Sequence, residues 1–373
     1  MKKFINQQDM KELNSADIFS LVRSQGTITR KQISEQLEIS WGAVSTITSL
    51  LIEEGYLEEN KAISDGAAGR TPSFLAVNTG VHFSIGIDIN TEKLRAVLMN
   101  LKGEIVSFWE SMPDFSSEES LINSLFFFIE RILHDTGKLH ILCIGIAMQG
   151  VVDSKKGISI EIPGKKNWNN VHLSEIVEER FNIPTFIDHD PNCILFAASH
   201  NQNSGDTLLI RADHGIGMAA MIGGKIIDKP GIFEISHTVV EIGGIPCSCG
   251  RRGCLGKYAS INALSSRYGK SFEELISDLE GGNEQALQVL STAVEHLAFA
   301  MSNVACLLNV EQIILCGSLW NHRNLFWNDF LEKFKSFSNR DDIQFSFTGV
   351  SSAPLGAALI AEKSVLRRIA FNK

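Results

Sequence analysis

The chain's 373 residues exceed what one hydrophobic core usually serves, so two or three domains are expected. Apolar residues at 44% and charged residues at 21% mark a globular protein, and a net charge of −9 excludes indiscriminate attraction to nucleic acid while leaving room for a local DNA-reading surface. The opening MKKFINQQDMKELN has no apolar h-region, no membrane-length apolar run follows, and the cysteine count of seven is odd for a disulfide framework, which points to a reducing, cytoplasmic setting.

In chain order, Ile18, Leu21 and Val22 place an apolar stripe on a helix over roughly 10–24 that Gly26 ends. Thr29-Arg30-Lys31-Gln32 reads as a capping box opening a second helix, with Ile33 and Leu37 on its inner face. Ser40 caps a third helix whose inner face carries Val44, Ile47 and Leu51, with Trp41, Ser45, Thr46 and Thr48 expected to project elsewhere. Two short helices joined by a tight turn make a helix-turn-helix in which the third helix reads DNA. Gly55 to Glu59 then begins a strand, a Gly/Ala-rich loop follows, and Gly69-Arg70-Thr71-Pro72 leads into Ser73 to Val77, giving a two-stranded wing. Arg70 stands where a loop can lay a guanidinium into a narrow minor groove. Ser40, Ser45, Thr46 and Thr48 can donate to phosphates or base edges, Trp41 can pack on a sugar or thymine methyl, and Arg30 is grouped with them. The alternative is a three-helix interaction module with an ordinary polar face. Charge does not decide, because residues 1–75 hold eight Lys/Arg against ten Asp/Glu.

From Gly80 the pattern changes to strands alternating with helices. Phe83 to Asp88, Leu94 to Met99 and Glu104 to Phe108 form a meander, and a similar one recurs at Leu208 to Asp213, Met218 to Ile222 and Lys225 to Ile227. Two such units suggest a duplicated α/β fold. Between them lie a helix over Glu118 to Thr136, a buried strand over Leu142 to Ala147, the turn at Gln149-Gly150, and Asn167 ahead of a helix ending near Phe181. A strand over Phe186 to Asp188 then brings His189 and Asp190 to its carboxyl end, where α/β sheets tend to place ligand-contacting groups. A long helix over Glu284 to Leu308, a strand over Ile313 to Cys316 and a last helix opening at Ala353-Pro354 complete the chain. The expected domains are 1–79, then 80–190 completed by 353–373, then 191–352.

Within GIFEISHTVVEIGGIPCSCGRRGCLGKYAS, His237, Cys247, Cys249 and Cys254 are the soft nitrogen and sulfur set of a closed tetrahedral Zn2+ site. With four protein ligands and no open position, such an ion braces a loop rather than activating water. Gly250 and Gly253 allow the tight turns that bring Cys249 and Cys254 to one ion. The alternatives are buried free thiols or a disulfide, and Cys-Ser-Cys is too short a spacing for an easy bridge.

The order Glu234, His237, Cys247-Ser-Cys249-Gly250, Gly253-Cys254-Leu255 resembles the zinc signature of the ROK family, which contains sugar kinases and sugar-responsive repressors. The resemblance implies a winged helix-turn-helix, carried by the repressors and absent from the kinases. Behind it stands a duplicated actin-like, ribonuclease-H-like ATPase fold of two lobes that hold ligand in the cleft between them. It implies that Asp190 matches the kinases' catalytic base, that the His189-Asp190 pair is the repressors' version, that Glu234 contacts a sugar hydroxyl, and that His237 serves zinc beside the sugar. Gly150 and Asn167 join this ligand-binding set. Asp190 has an alternative role as a cap of the helix starting near Pro191. Two positions depart from the family pattern: Gly256 stands where a sugar-gripping Glu is usual, and Ser236 where Gly is usual.

A sugar kinase needs backbone close to ATP phosphates and a carboxylate base. The family kinases' Asp-x-Gly-Gly-Thr turn reads Asp88-Ile89-Asn90-Thr91-Glu92 here, and their Gly-Thr-Gly turn reads Asp213-His214-Gly215. Both glycines of the first turn are replaced, and Glu92 puts negative charge where phosphate would lie. The resulting expectation is a non-enzymatic, DNA-binding repressor of carbohydrate-metabolism genes with a structural Zn2+ and a degenerate ATP site. Its partners are operator DNA and a sugar or sugar-phosphate effector, and it acts as a homodimer or homotetramer. The rivals are an ATP-dependent sugar kinase with an added DNA-binding domain, and a repressor governed by a protein partner, which Gly256 makes credible.

Overall fold

The computed structural model describes residues 7–61, 73–90, 92–165, 167–200, 205–338, 340–349 and 352–369. The chain divides into two compact units, Met1–Asp190 with Ala353–Lys373, and Pro191–Ser352.

The first unit opens with α1 (Gln7–Gln25), α2 (Arg30–Leu37) and α3 (Trp41–Glu53). Thr29 and Gln32 make the reciprocal capping box of α2, and the Ser40 side chain accepts from the Ala43 amide to cap α3. Strands β1 (Leu57–Lys61) and β2 (Ser73–Val77) pair antiparallel from Leu57↔Val77 to Lys61↔Ser73, forming the wing. An Ile28↔Leu75 bridge adds a strand-like contact before α2. The loop between the wing strands, including Arg70, lies outside the described residues.

Next come β3 (His82–Ile89), β4 (Leu94–Asn100), β5 (Ile105–Ser111), α4 (Glu118–Thr136), β6 (His140–Met148), the small sheet β7 (Val151–Asp153), β8 (Ile158–Glu161) and β9 (Asn169–Val171), then α5 (Leu173–Phe181) and β10 (Thr185–His189); α6 (Asp190–Ser199) starts on the last residue of this stretch and otherwise belongs to the second unit. The main sheet has the order β10-β6-β3-β4-β5. Every residue of β3 is buried, as expected of a strand covered on both faces.

The second unit contains β11 (Thr207–Ala212), β12 (Ile216–Ile222), β13 (Lys225–Ile226), α7 (Gly256–Ala259), α8 (Ile261–Tyr268), α9 (Phe272–Glu280), α10 (Glu284–Leu308), β14 (Gln312–Cys316), α11 (Ser318–Asn321), α12 (Trp327–Phe337) and β15 (Gln344–Phe347). Its sheet order, β13-β12-β11-β14-β15, repeats that of the first unit strand for strand. In each, an antiparallel meander is extended by two parallel strands beside its first member. The expected duplication is therefore present in the topology. Among the described helices only α10 is long and apolar enough to cross a membrane, and its Leu297 and Met301 are fully buried in the core of this unit.

The last helix, α13 (Ser352–Ile369), belongs to the first unit. Gly86 of β3 and Gly145 of β6 are register partners, and a Cβ on either would stand 1.8 Å from the Pro354 carbonyl oxygen or 2.0 Å from that of Ala357. Paired glycines thus let the backbone of α13 rest directly on the sheet.

Candidate functional site

On α3, Trp41 is 61% exposed and Thr46 is exposed, while Ser45 is half-buried. Ser49 and Leu50 share this surface and were not anticipated, although their helical spacing from Ser45 and Thr46 is legible. Thr48 departs from expectation, being fully buried. Its hydroxyl donates to the Val44 carbonyl at 2.8 Å and accepts from Arg30 Nε at 2.9 Å. The Arg30 guanidinium is also paired with Glu59 of β1 at 2.6 Å. Thr48 and Arg30 therefore join α2, α3 and the wing, with the hydroxyl turned away from solvent because α3 presents that face to its neighbours. The exposed surface of α3 reduces to its N-terminal end and outer face.

In the second unit, residues 235–237 form a short 3-10 turn, Val239 bridges Cys254, and Pro246 bridges Arg252. This folds the segment into a knuckle in which the donor atoms of His237, Cys247, Cys249 and Cys254 all lie within 4.8 Å of one another. Cys247 Sγ is 3.5 Å from His237 Nδ1, and Cys249 Sγ is 3.6 Å from Cys254 Sγ. A tetrahedral ion with bonds of about 2.3 Å to sulfur and 2.0 Å to nitrogen sets its ligand atoms roughly 3.5–3.8 Å apart, so the donor set fits. A disulfide needs sulfurs at about 2.05 Å. Gly253 has φ +80°, and a Cβ there would fall 1.7 Å from the Glu241 carbonyl oxygen, so the knuckle requires glycine at this point. The Arg251 amide bonds Cys249 and holds its thiol below the ordinary value. Tyr258, whose oxygen accepts from the Ile245 amide at 2.8 Å, stacks on His296 of α10 at 4.5 Å, tying the knuckle to the core helix.

The expected ligand residues divide between the units: Gly150, Asn167, His189 and Asp190 fall in the first, Glu234 and His237 in the second. Asp190 opens α6, is 5% exposed and stands 3.5 Å from His189 Nε2, while the His189 amide donates to Asp188 at 2.7 Å. Asn167 is exposed, as is Glu234. Gly150 has φ +88°, and a Cβ there would lie 2.1 Å from the Glu161 carbonyl oxygen at the end of β8, which gives it a backbone role in the β6–β7 turn. Gln149, which composition does not flag, directly follows β6, with its amide Nε2 buried and lacking a hydrogen-bond partner among the described residues. Its place at the carboxyl end of a parallel strand was the available signal.

The two departures from the family pattern are neighbours. A Cβ on Gly256 would stand 2.2 Å from Ser236 Oγ, so the serine hydroxyl fills the space beside the glycine. In the two turns that the resemblance aligns with the kinases' phosphate turns, side-chain oxygens accept from backbone amides. Asn90 Oδ1 accepts from the amides of Glu92 and Lys93 at 3.0 and 2.9 Å, and Asp213 accepts from the His214 amide at 3.2 Å.

Over 359 residues the chain is 28% identical to the xylose repressor of Caldicellulosiruptor bescii, an alignment covering 89% of this chain and 88% of that protein. It is 27% identical over 337 residues to the DNA-binding transcriptional dual regulator NagC of Escherichia coli K12, covering 83% and 81% of the two chains. Among solved structures, a ROK family transcriptional regulator homologous to the E. coli MLC protein superposes with a TM-score of 0.86 at 21% identity, covering 96% of this chain and 98% of that one. A ROK family glucokinase from Streptomyces griseus, in complex with glucose and AMPPNP, gives a TM-score of 0.66 at 20% identity and spans 75% of this chain but 99% of its own length. The profile of the ROK family matches residues 84–364, and the chain belongs to that family.

Proposed function

We propose that this protein is a cytoplasmic, carbohydrate-responsive transcriptional repressor that binds operator DNA as a symmetric homo-oligomer and performs no phosphotransfer. The observation that carries the reading is the winged helix-turn-helix, with a capped, outward-facing α3, ahead of the ROK fold. Relatives named as a xylose repressor and as NagC extend along 89% and 83% of the chain and support the same reading. One half-site read by one helix gives too little specificity, and paired half-sites supply the rest.

A sugar or sugar phosphate is the effector in this reading. Asp190 and Glu234 accept hydrogen bonds from its hydroxyls, with His189 and His237 beside them. His237, Cys247, Cys249 and Cys254 would hold zinc, whose contribution is to cross-link the knuckle. The loss of nucleotide binding follows from the closed turns: amides already engaged by Asn90 and Asp213 are not free for phosphate, and the carboxylates of Glu92 and Asp213 oppose it.

Selection of duplexes from a random pool by the full-length protein, followed by gel shifts with a panel of sugars and sugar phosphates, tests the reading. A selected operator whose affinity changes with one of these ligands is the expected result. Sugar-dependent release of ADP from ATP that disappears in Asp190→Asn would overturn it in favour of a kinase. An operator with no thermal shift from any sugar favours control by a protein partner, since a ligand at a hundred times its Kd stabilises by about 2.7 kcal/mol.

A further inference from the structure

The DNA-reading head does not close its core on itself. Phe19 and Val22 of α1 share one apolar cluster with Leu101, Cys143, Ala361 and Val365, which belong to the β4–β5 turn, β6 and α13. Inside this junction Arg23 Nη1 donates to Glu362 Oε1 at 2.6 Å, with the carboxylate 1% exposed. Gly103 makes room for it, since a Cβ there would lie 2.6 Å from Arg23 Nη2. A second attachment holds the end of the reading helix. The carbonyl of Glu54, the residue that caps α3, is 2.7 Å from His82 Nε2 at the start of β3. His82 stacks on Tyr56 at 4.4 Å, and its Nδ1 meets His140 Nδ1 at 2.9 Å.

A buried charged contact is a poor adhesive, because desolvation consumes most of what the attraction returns, and apolar side chains of the same size hold such an interface as well. Here Arg23 Nη2 and Glu362 Oε2 are buried without partners among the described residues, which lowers the return further. What the contact supplies, and an apolar pair lacks, is direction. Helix α13 lies against Gly86 and Gly145 at one end and carries Glu362 about two turns later, so it reaches from the central strands of the sheet to the head as one rigid element.

We propose that Arg23 and Glu362 are positioning residues for operator recognition: their contact sets the orientation of α3 on the first lobe and passes any displacement of α13 to it. The proposal rests on the DNA-binding reading above. It makes the head an orientable extension of the lobe, with Glu54 and His82 as the second fixed point.

The test is Arg23→Met/Glu362→Met in the full-length protein, with nitroxides placed through ketone-bearing residues at exposed Ser49 and Phe127 to report the distance from α3 to α4. The expected result is a melting temperature near that of the parent, a broadened distance distribution, and affinity for the selected operator lowered about tenfold, the order of one mismatched base pair. Parent-like affinity, or an unchanged distribution, overturns the proposal. Should the double variant not fold, Glu362→Asp, which keeps the charge and shortens the arm, is read the same way. If the parent selects no duplex, the DNA-binding reading fails separately, and the distance distribution still decides whether the contact orients the head.

Discussion

Thr48 and Trp41 sit on one short helix and are separated by burial alone. The Thr48 hydroxyl is the acceptor for Arg30 Nε inside the head, so Thr48→Val removes the partner of a half-buried donor. A loss of about 1–3 kcal/mol in chemical denaturation is expected, with operator binding falling only as the fold does. Trp41→Ala removes a side chain that is 61% exposed, so operator affinity should drop in gel shifts while denaturation midpoints stay within about 0.5 kcal/mol. Ser236 and Gly256 form a second informative pair. Gly256→Glu alone drives a side chain against Ser236 Oγ and should cost about 1–3 kcal/mol by thermal melt. Adding Ser236→Gly reopens the space and should restore most of that stability; a double variant no better than the single would show that the hydroxyl is not the obstacle.

At the scale of elements, the knuckle carrying His237 and the three cysteines has little apolar core of its own, and Cys249 is exposed. Its order should therefore depend on the ion. Chelation of the purified protein, or Cys249→Ser, is expected to lower the melting temperature and to raise hydrogen exchange in residues 238–255 selectively; uniform exchange and an unchanged melt would count against a structural metal. The junction between head and lobe carries a pH signature. Burial pushes the Glu362 carboxyl from 4.5 up to about 7, against the pull of Arg23, so its contribution to stability is full below 4.5 and is lost as pH rises through 7. Burial lowers the His82 imidazole from 6.5, helped by His140, so its contribution is lost as pH falls below that value. The two slopes oppose one another across the window they share. Relative to the parent, Glu362→Gln should melt progressively lower on acidification from pH 7 to pH 5, and His82→Gln progressively higher.

At the scale of the whole molecule, one glycine pair decides where the chain's end goes. Gly145→Ala would place a methyl 2.0 Å from the Ala357 carbonyl, so α13 must lift from the sheet, at a cost of about 3 kcal/mol or more in denaturant titration. Because α13 also bears Glu362, operator affinity should fall with it even though residue 145 lies outside the head. Gly42→Ala is the contrast: nothing lies within 4 Å of its Cβ direction, and the fold should tolerate it.

Much of this protein was legible in one dimension. The capping residues Thr29 and Ser40, the meander repeated at Phe83 and Leu208, the helix over Glu118 to Thr136 and the donor spacing from His237 to Cys254 are local patterns, set by backbone period, cap chemistry and ligand type. Pairings between distant positions were not legible. Thr48 looks like a surface threonine until Arg30 is seen beside it, and Gly256 looks like a simple deletion until Ser236 is found in its space. Gly86 and Gly145 read as ordinary strand glycines, and Arg23 and Glu362 are separated by 339 positions. Sequence alone determined the local elements named above and the donor types they carry, because those depend on near neighbours along the chain. Only tertiary structure decided which polar groups are turned inward and where the last helix lies, because burial and close approach depend on residues that meet only once the chain has folded.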